Sequence, residues 1–230
     1  SASEVEQVED YLSYEYGIYK NPLRFIGSAY AGASKWAYGA TSSVNGAVYC
    51  APFESEYVLK IDHVTGTTSL IGASLGAGRD KWIGMVEAAD GRIFGVPGRD
   101  GRLLVVDPTD DSVTTYPFST DVGDSRYYGG VLADNGKIYC PPIYARNVLV
   151  IDPATNTATT IGSNLGQGST SSGRWGWFTK GGDGKLYGAP RDEPGILVVD
   201  PSDDSITTIT TGVPAGLRKY THGEYLPTTD

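Results

Sequence analysis

The sequence predicts an all-β fold assembled from tandem four-stranded units, and three observations predict it. One string of residues recurs at a near-constant period, turn signals cut it into strand-length pieces, and no stretch carries helical periodicity of useful length. Arg126–Gly162 shows the whole pattern: an aromatic start, an Asn-Gly turn, two alternating apolar runs, an Ile-Asp-Pro turn and a Thr-rich finish. The aromatic that follows a base stands at Trp36, Trp82, Tyr127, Trp175 and Tyr220, giving steps of 46, 45, 48 and 45 residues. A unit of that size cannot bury its apolar face alone, so the copies must stack.

Each element has a local reason. In the third copy Tyr127–Ala133 reads as the first strand, Lys137–Cys140 as the second, Val148–Asp152 as the third and Thr157–Ile161 as the fourth. Asn45-Gly46, Asp90-Gly91, Asn135-Gly136 and Asp183-Gly184 predict type I′ hairpin turns, in which both central residues need positive φ. Pro52, Pro97, Pro142 and Pro190 close the second strands, because proline cannot donate to a ladder. Asp62, Asp107, Asp152 and Asp200 end the third strands, followed by Pro in three copies and by His63 in the first, which predicts a type I turn. Four-stranded units of this length in tandem predict a β-propeller. The count is five blades: 35–80, 81–125, 126–173 and 174–218 are whole, and 219–230 with 11–34 share the last. Residues 1–10 are expected to form a loose acidic arm, and Tyr11, Tyr14, Tyr16 and Tyr19 either cover the shared blade or offer a patch to a partner protein.

The segments DNGKIYCPP and VLVIDPATNTATTI of the third copy, with their counterparts, resemble the broad YVTN/NHL-like class of propeller repeats. The resemblance spans most of residues 35–209. It implies the fold; the class holds binding scaffolds and some hydrolases, so it implies no catalytic residue.

Composition narrows the partners. With 27 acidic against 18 basic residues the net charge is −9, which disfavours nucleic acid and anionic membranes, and no apolar run is long enough to span a bilayer. The chain begins SASEVEQVED, read as a processed or trimmed start that leaves the compartment open, secreted or organellar included. Cys50 and Cys140 fill one slot in non-adjacent copies, where Gly95 and Gly188 stand elsewhere, so the expectation is small buried thiols without a mutual disulfide.

The candidate site follows from the loops. Connections between blades and the loops between second and third strands share one face, and they are the longest in the chain. Loops on a rigid scaffold carry function more often than strands do. Lys35, Lys81, Arg126, Arg174 and Lys219 stand at the start of each innermost strand on that face, with Trp36, Trp82, Tyr127, Trp175 and Tyr220 one residue further in. Arg79, Arg99, Arg146, Arg191 and Arg218 lie in the same loops. Such a ring could hold an anionic small molecule or stack an acidic glycan. Neighbouring acids and the regular repetition equally suit ion pairs and blade-to-blade packing. Glu87 and Glu224 on inner strands, Lys180 at the end of one, and His222 near Glu224 form no recognisable catalytic or metal set, and no cofactor motif is present. The leading expectation is therefore a non-catalytic binding propeller. A structural or assembly subunit and a hydrolase with a channel-centred site are the alternatives.

Overall fold

The computed structural model describes Tyr30 and residues 33–118, 127–165, 173–216 and 219–220. Four antiparallel four-stranded sheets account for the described strands, each wound in chain order from inside to outside. The first holds β1 (Trp36–Thr41), β2 (Val48–Pro52), β3 (Val58–Asp62) and β4 (Thr67–Ile71); the second β5 (Trp82–Glu87), β6 (Ile93–Pro97), β7 (Arg102–Asp107) and β8 (Ser112–Pro117). The third holds β9 (Val131–Leu132), β10 (Ile138–Cys140), β11 (Val148–Asp152) and β12 (Thr157–Ile161); the fourth β13 (Trp175–Lys180), β14 (Leu186–Pro190), β15 (Ile196–Asp200) and β16 (Ser205–Ile209). Successive inner strands lie against one another, β1 on β5, β5 on β9 and β9 on β13. Residues 11–29 and 221–230 of the expected fifth blade lie outside the described residues. Among the described residues no helix is long and apolar enough to cross a membrane.

The core consists of three seams, one between each consecutive pair of sheets. Tyr49, Ala51 and Val58 of the first sheet meet Trp82, Ile93, Leu104 and Val106 of the second. Phe94, Val96, Leu103 and Val105 then meet Ile138, Cys140, Leu149 and Ile151 of the third. Tyr139, Val148 and Val150 meet Trp175, Phe178, Leu186, Leu197 and Val199 of the fourth. In the second and third sheets the second and third strands are buried on both faces, and each large side chain so removed from water contributes about 1.5–3 kcal/mol.

Side-chain size is traded across the inner hairpin of every sheet. Gly39 faces Cys50, Met85 faces Gly95 and Phe178 faces Gly188. In the third sheet a Cβ on Gly130 would lie 2.9 Å from the Cys140 sulfur. The two cysteines are thus volume partners of glycines. Both are free thiols, and burial raises both pKa values.

Two expectations change. The hairpins are not type I′ turns, because positive φ is confined to the glycine: Gly91 and Gly136 have φ of 86° and 80°, while Asp90 and Asn135 do not join the positive-φ residues. Gly91 N–H donates to Ala88 O and Ala88 N–H to Arg92 O, so a type I turn is followed by a glycine bulge. The side chain decides this. Asn45, Asp90, Asn135 and Asp183 each accept from the backbone N–H two residues on, at 3.0, 3.1, 3.0 and 3.1 Å. The first strand of the third copy also contracts from the expected Tyr127–Ala133 to Val131–Leu132, with an isolated bridge from Tyr127 to Pro142. Gly129-Gly130 supplies no side chain to pack there. The Asp turns behave as expected, with Asp62, Asp107, Asp152 and Asp200 all accepting from the N–H two residues on.

Candidate functional site

Three of the five repeated bases tie their blade to the loop of the blade before. The Lys81 ammonium donates to Ser55 O at 2.7 Å and Gly76 O at 2.6 Å, and the side chain is buried. Arg174 donates to Tyr144 O and Ala145 O, with Glu193 Oε1 3.5 Å from its Nε. Lys219 donates to Glu193 O at 2.7 Å and Gly216 O at 3.2 Å. The backbone repeats the tie, since the N–H groups of Lys81, Arg174 and Lys219 donate to Phe53 O, Ile143 O and Arg191 O. Burial depresses the pKa of Lys81 and Arg174. Lys35 has no corresponding carbonyl among the described residues; it lines a recess with Trp36. Arg126 and Arg218 lie outside the described residues. Arg99 pairs with Asp80 at 3.1 Å, and Arg146 reaches Asn164 at 3.5 Å.

The repeated aromatics are anchored in a like manner. Trp36, Trp82 and Trp175 each donate their indole N–H to the carbonyl of Tyr57, Arg102 and Gly195, at 2.9, 2.9 and 2.8 Å. These acceptors lie just before or at the start of the third strand, so each indole pins the inner strand to its own blade. Trp82, Tyr127 and Trp175 are buried, Trp36 is half-buried, and Tyr220 is exposed.

Among the described residues, those two positions after the repeated aromatics meet at the centre of the ring: Tyr38, Gly84, Gly129 and Trp177. Trp177 crosses from the fourth sheet to the first, where its ring meets Tyr38 edge-on, centroids 4.8 Å apart at 80°. Its indole also covers Gly129, whose Cβ would lie 2.2 Å from two ring carbons, and Gly84 lies against the Gly129 backbone. One large ring therefore fills space that two glycines leave. A bulge between Trp36 and Gly39, and between Trp175 and Phe178, breaks simple alternation. Sequence reasoning passed over this column, although four of the five copies carry either an aromatic residue or a glycine at this fixed offset.

Loops of three blades converge at the channel mouth on the long-loop face. Tyr128 and Tyr144 of the third blade meet edge-on, 6.2 Å between centroids. Arg191 of the fourth blade and Asp80, before the second, act electrostatically on the Tyr128 hydroxyl. Burial pushes the pKa of Tyr128 up, Tyr144 and Asp80 add to the shift, and the Arg191 charge opposes it. Arg191 is half-buried, and its Nε is shielded from solvent without a hydrogen-bond partner. Tyr128 and Tyr144 were also passed over in the sequence, because neither lies in the repeated column.

At the opposite end, Glu87 accepts from the Ser43 N–H at 2.6 Å and the Ser43 hydroxyl at 3.0 Å, and Lys180 pairs with Asp134 at 2.6 Å. Both residue pairs link neighbouring blades. His222 and Glu224 lie outside the described residues, and among the described residues no group of three or more His, Cys, Asp or Glu could hold a metal ion.

Solved structures share this fold. A streptogramin B lyase superposes with a TM-score of 0.63 at 17% identity, covering 84% of this chain and 60% of that one. The virginiamycin B lyase of Staphylococcus aureus gives 0.62 at 14% identity, covering 80% and 58%. The extracellular domain of a protein described as a one-component system of B. thetaiotaomicron gives 0.59 at 14% identity, covering 81% and 26%. The chain folds as a β-propeller. At such identities the likeness speaks for the fold alone, and the chain spans about three fifths of the length of the lyases. No family model matches this propeller, and no curated protein matches its sequence.

Proposed function

We propose that this propeller binds a ligand over its long-loop face, and that the ligand is an anionic small molecule or the carboxylate of an acidic carbohydrate. One observation carries the reading: Arg191 holds a guanidinium at the channel mouth, between loops of three blades, with a buried Nε that no protein acceptor meets. Buried polar groups are almost always partnered, and a guanidinium favours carboxylate or phosphate in a two-bond fork. Tyr128 and Tyr144 supply aromatic walls beside it. The ten positions of the repeated ring enter the proposal in three groups. Lys81, Arg174, Trp82, Tyr127 and Trp175 are proposed to hold the loops that present the site, Lys219, Tyr220 and Arg126 to stand at its rim, and Lys35 with Trp36 to serve a separate recess at the first blade.

We also infer a ring of five blades, with the fifth shared between the two ends of the chain. Lys219 supports this, because its backbone and ammonium bonds to the fourth blade repeat those by which Lys81 and Arg174 begin theirs. Tyr30 supports it from the other side: it occupies the position of Leu75 and Leu165 after the repeated Ile-Gly and bonds Thr68 at 3.1 Å.

Thermal unfolding against phosphate, sulfate, sialic and uronic acids at fixed ionic strength tests the binding reading. A ligand at 100 times its Kd adds about 2.7 kcal/mol, a shift of several degrees for a domain this size. Stabilisation by one anion class that Arg191→Gln removes is the expected result. A flat response would move the assignment to an assembly subunit, tested next by partner capture.

A further inference from the structure

The seam at the first blade differs from those at the second and fourth, and it holds an open recess of about 390 Å³. In the second blade the Lys81 ammonium is tied to two carbonyls, and the Arg102 guanidinium covers the Trp82 ring at 5.5 Å. In the fourth, Arg174 is tied to the preceding loop and Leu165 packs into the seam. At the first blade the equivalent of Lys81 is Lys35, which has no such tie among the described residues. The counterpart of Arg102, identified by the same indole hydrogen bond, is Tyr57. The place of Leu75 and Leu165 is taken by Tyr30, which meets Trp36 edge-on with centroids 5.1 Å apart. The recess is thus walled by Tyr30, Trp36 and Tyr57 and edged by Lys35, Glu54 and Glu56.

We propose that this recess is a second binding site, separate from the channel mouth, and that it takes a neutral pyranose ring. Three aromatic side chains line the recess, and an aromatic ring packs well on the C–H face of a sugar. One ammonium and two carboxylates supply both donor and acceptor for hydroxyl groups within a volume suited to a small ligand. The mixture of signs selects against ions. An acidic sugar would meet Glu54 and Glu56, and a quaternary ammonium, which the aromatic walls alone would suit, meets Lys35. Glu56 is already oriented, accepting from the Ser74 hydroxyl at 2.6 Å, which leaves its other oxygen to a ligand. The Trp36 indole N–H is committed to Tyr57 O, so Trp36 acts as a fixed wall.

Saturation-transfer NMR and calorimetry with methyl glucoside, galactoside, mannoside and N-acetylglucosaminide, alongside glucuronate and tetramethylammonium, test this. Saturable binding of at least one neutral pyranoside is expected, weakened roughly tenfold or more by Lys35→Ala with Glu54→Gln. These two side chains are partly or wholly exposed, so an unchanged melting temperature separates lost binding from lost fold. The same pyranoside binding is expected to survive Arg191→Gln, which keeps this site distinct from the anion site. Absence of any pyranoside binding, binding indifferent to the double variant, or preference for tetramethylammonium or glucuronate would each overturn the assignment.

Discussion

Replacing Lys81 by methionine asks directly whether the repeated bases fasten blades. The substitution keeps the length and apolar stem of the side chain and removes the charge and both donors. Lys81 is 4% exposed, and its two bonds, of 2.6 and 2.7 Å, are the side-chain ties from the second blade to Ser55 and Gly76. Hydrogen bonds to a charged group contribute about 1.5–3 kcal/mol each, and a buried carbonyl left without its donor costs about 1–3 kcal/mol. Relief of the ammonium desolvation that depresses the Lys81 pKa offsets part of that loss. The net expectation is a loss of about 2–4 kcal/mol, or roughly 5–15 °C in melting temperature for a domain of this size. Lys35→Met is the internal control. With no carbonyl tie among the described residues, it should change stability by less than about 0.5 kcal/mol. Thermal unfolding followed by far-UV circular dichroism reads both. An unchanged melting temperature for Lys81→Met, or equal losses for the two variants, would refute the fastening argument.

Further outcomes follow from the same geometry. Gly129→Ala places a methyl group against the Trp177 indole and should cost about 1–3 kcal/mol; a double-mutant cycle with Trp177→Ala should recover most of it, and additive losses would contradict the channel packing. Ser202 and Lys185 hold the Asp200 carboxyl at a pKa of about 2, below its ordinary 3.8. Its stabilisation is therefore complete above pH 3.8 and lost as pH falls through about 2, and Asp200→Asn should flatten the melting curve's pH dependence in that window while keeping the turn acceptor. Cys140 is fully buried with a thiol pKa pushed up by burial, so it should react with Ellman's reagent only as fast as the protein unfolds. Rapid labelling of Cys140 in the native state would place it outside the core.

What the sequence disclosed depended on how locally each feature is encoded. Strand order was legible because Asn-Gly, Asp-Gly and Asp-Pro are local signals, and β11 and β12 fall where the residues put them. Turn type was not, because the choice between two positive-φ residues and one is made by an Asx hydrogen bond that leaves Asn135 outside the left-handed region. The partners of Lys81, Arg174 and Lys219 were not legible, because they are backbone carbonyls such as Ser55 O, which carry no residue signature. The channel column was hidden by the bulges after Trp36 and Trp175, which displace the alternation on which inward-facing residues are counted. Arg191, by contrast, was named among the loop bases. Its unpartnered Nε emerges only when three blades are brought together.

The most direct measurement is calorimetric titration of the intact chain with glucuronate, sialate, phosphate and sulfate, in parallel with Arg191→Gln and Arg191→Lys. Saturable binding of one anion class is expected, lost in the glutamine variant and weakened in the lysine variant, which keeps the charge but not the planar fork. Binding that is equally strong in all three proteins would contradict an anion site at the channel mouth.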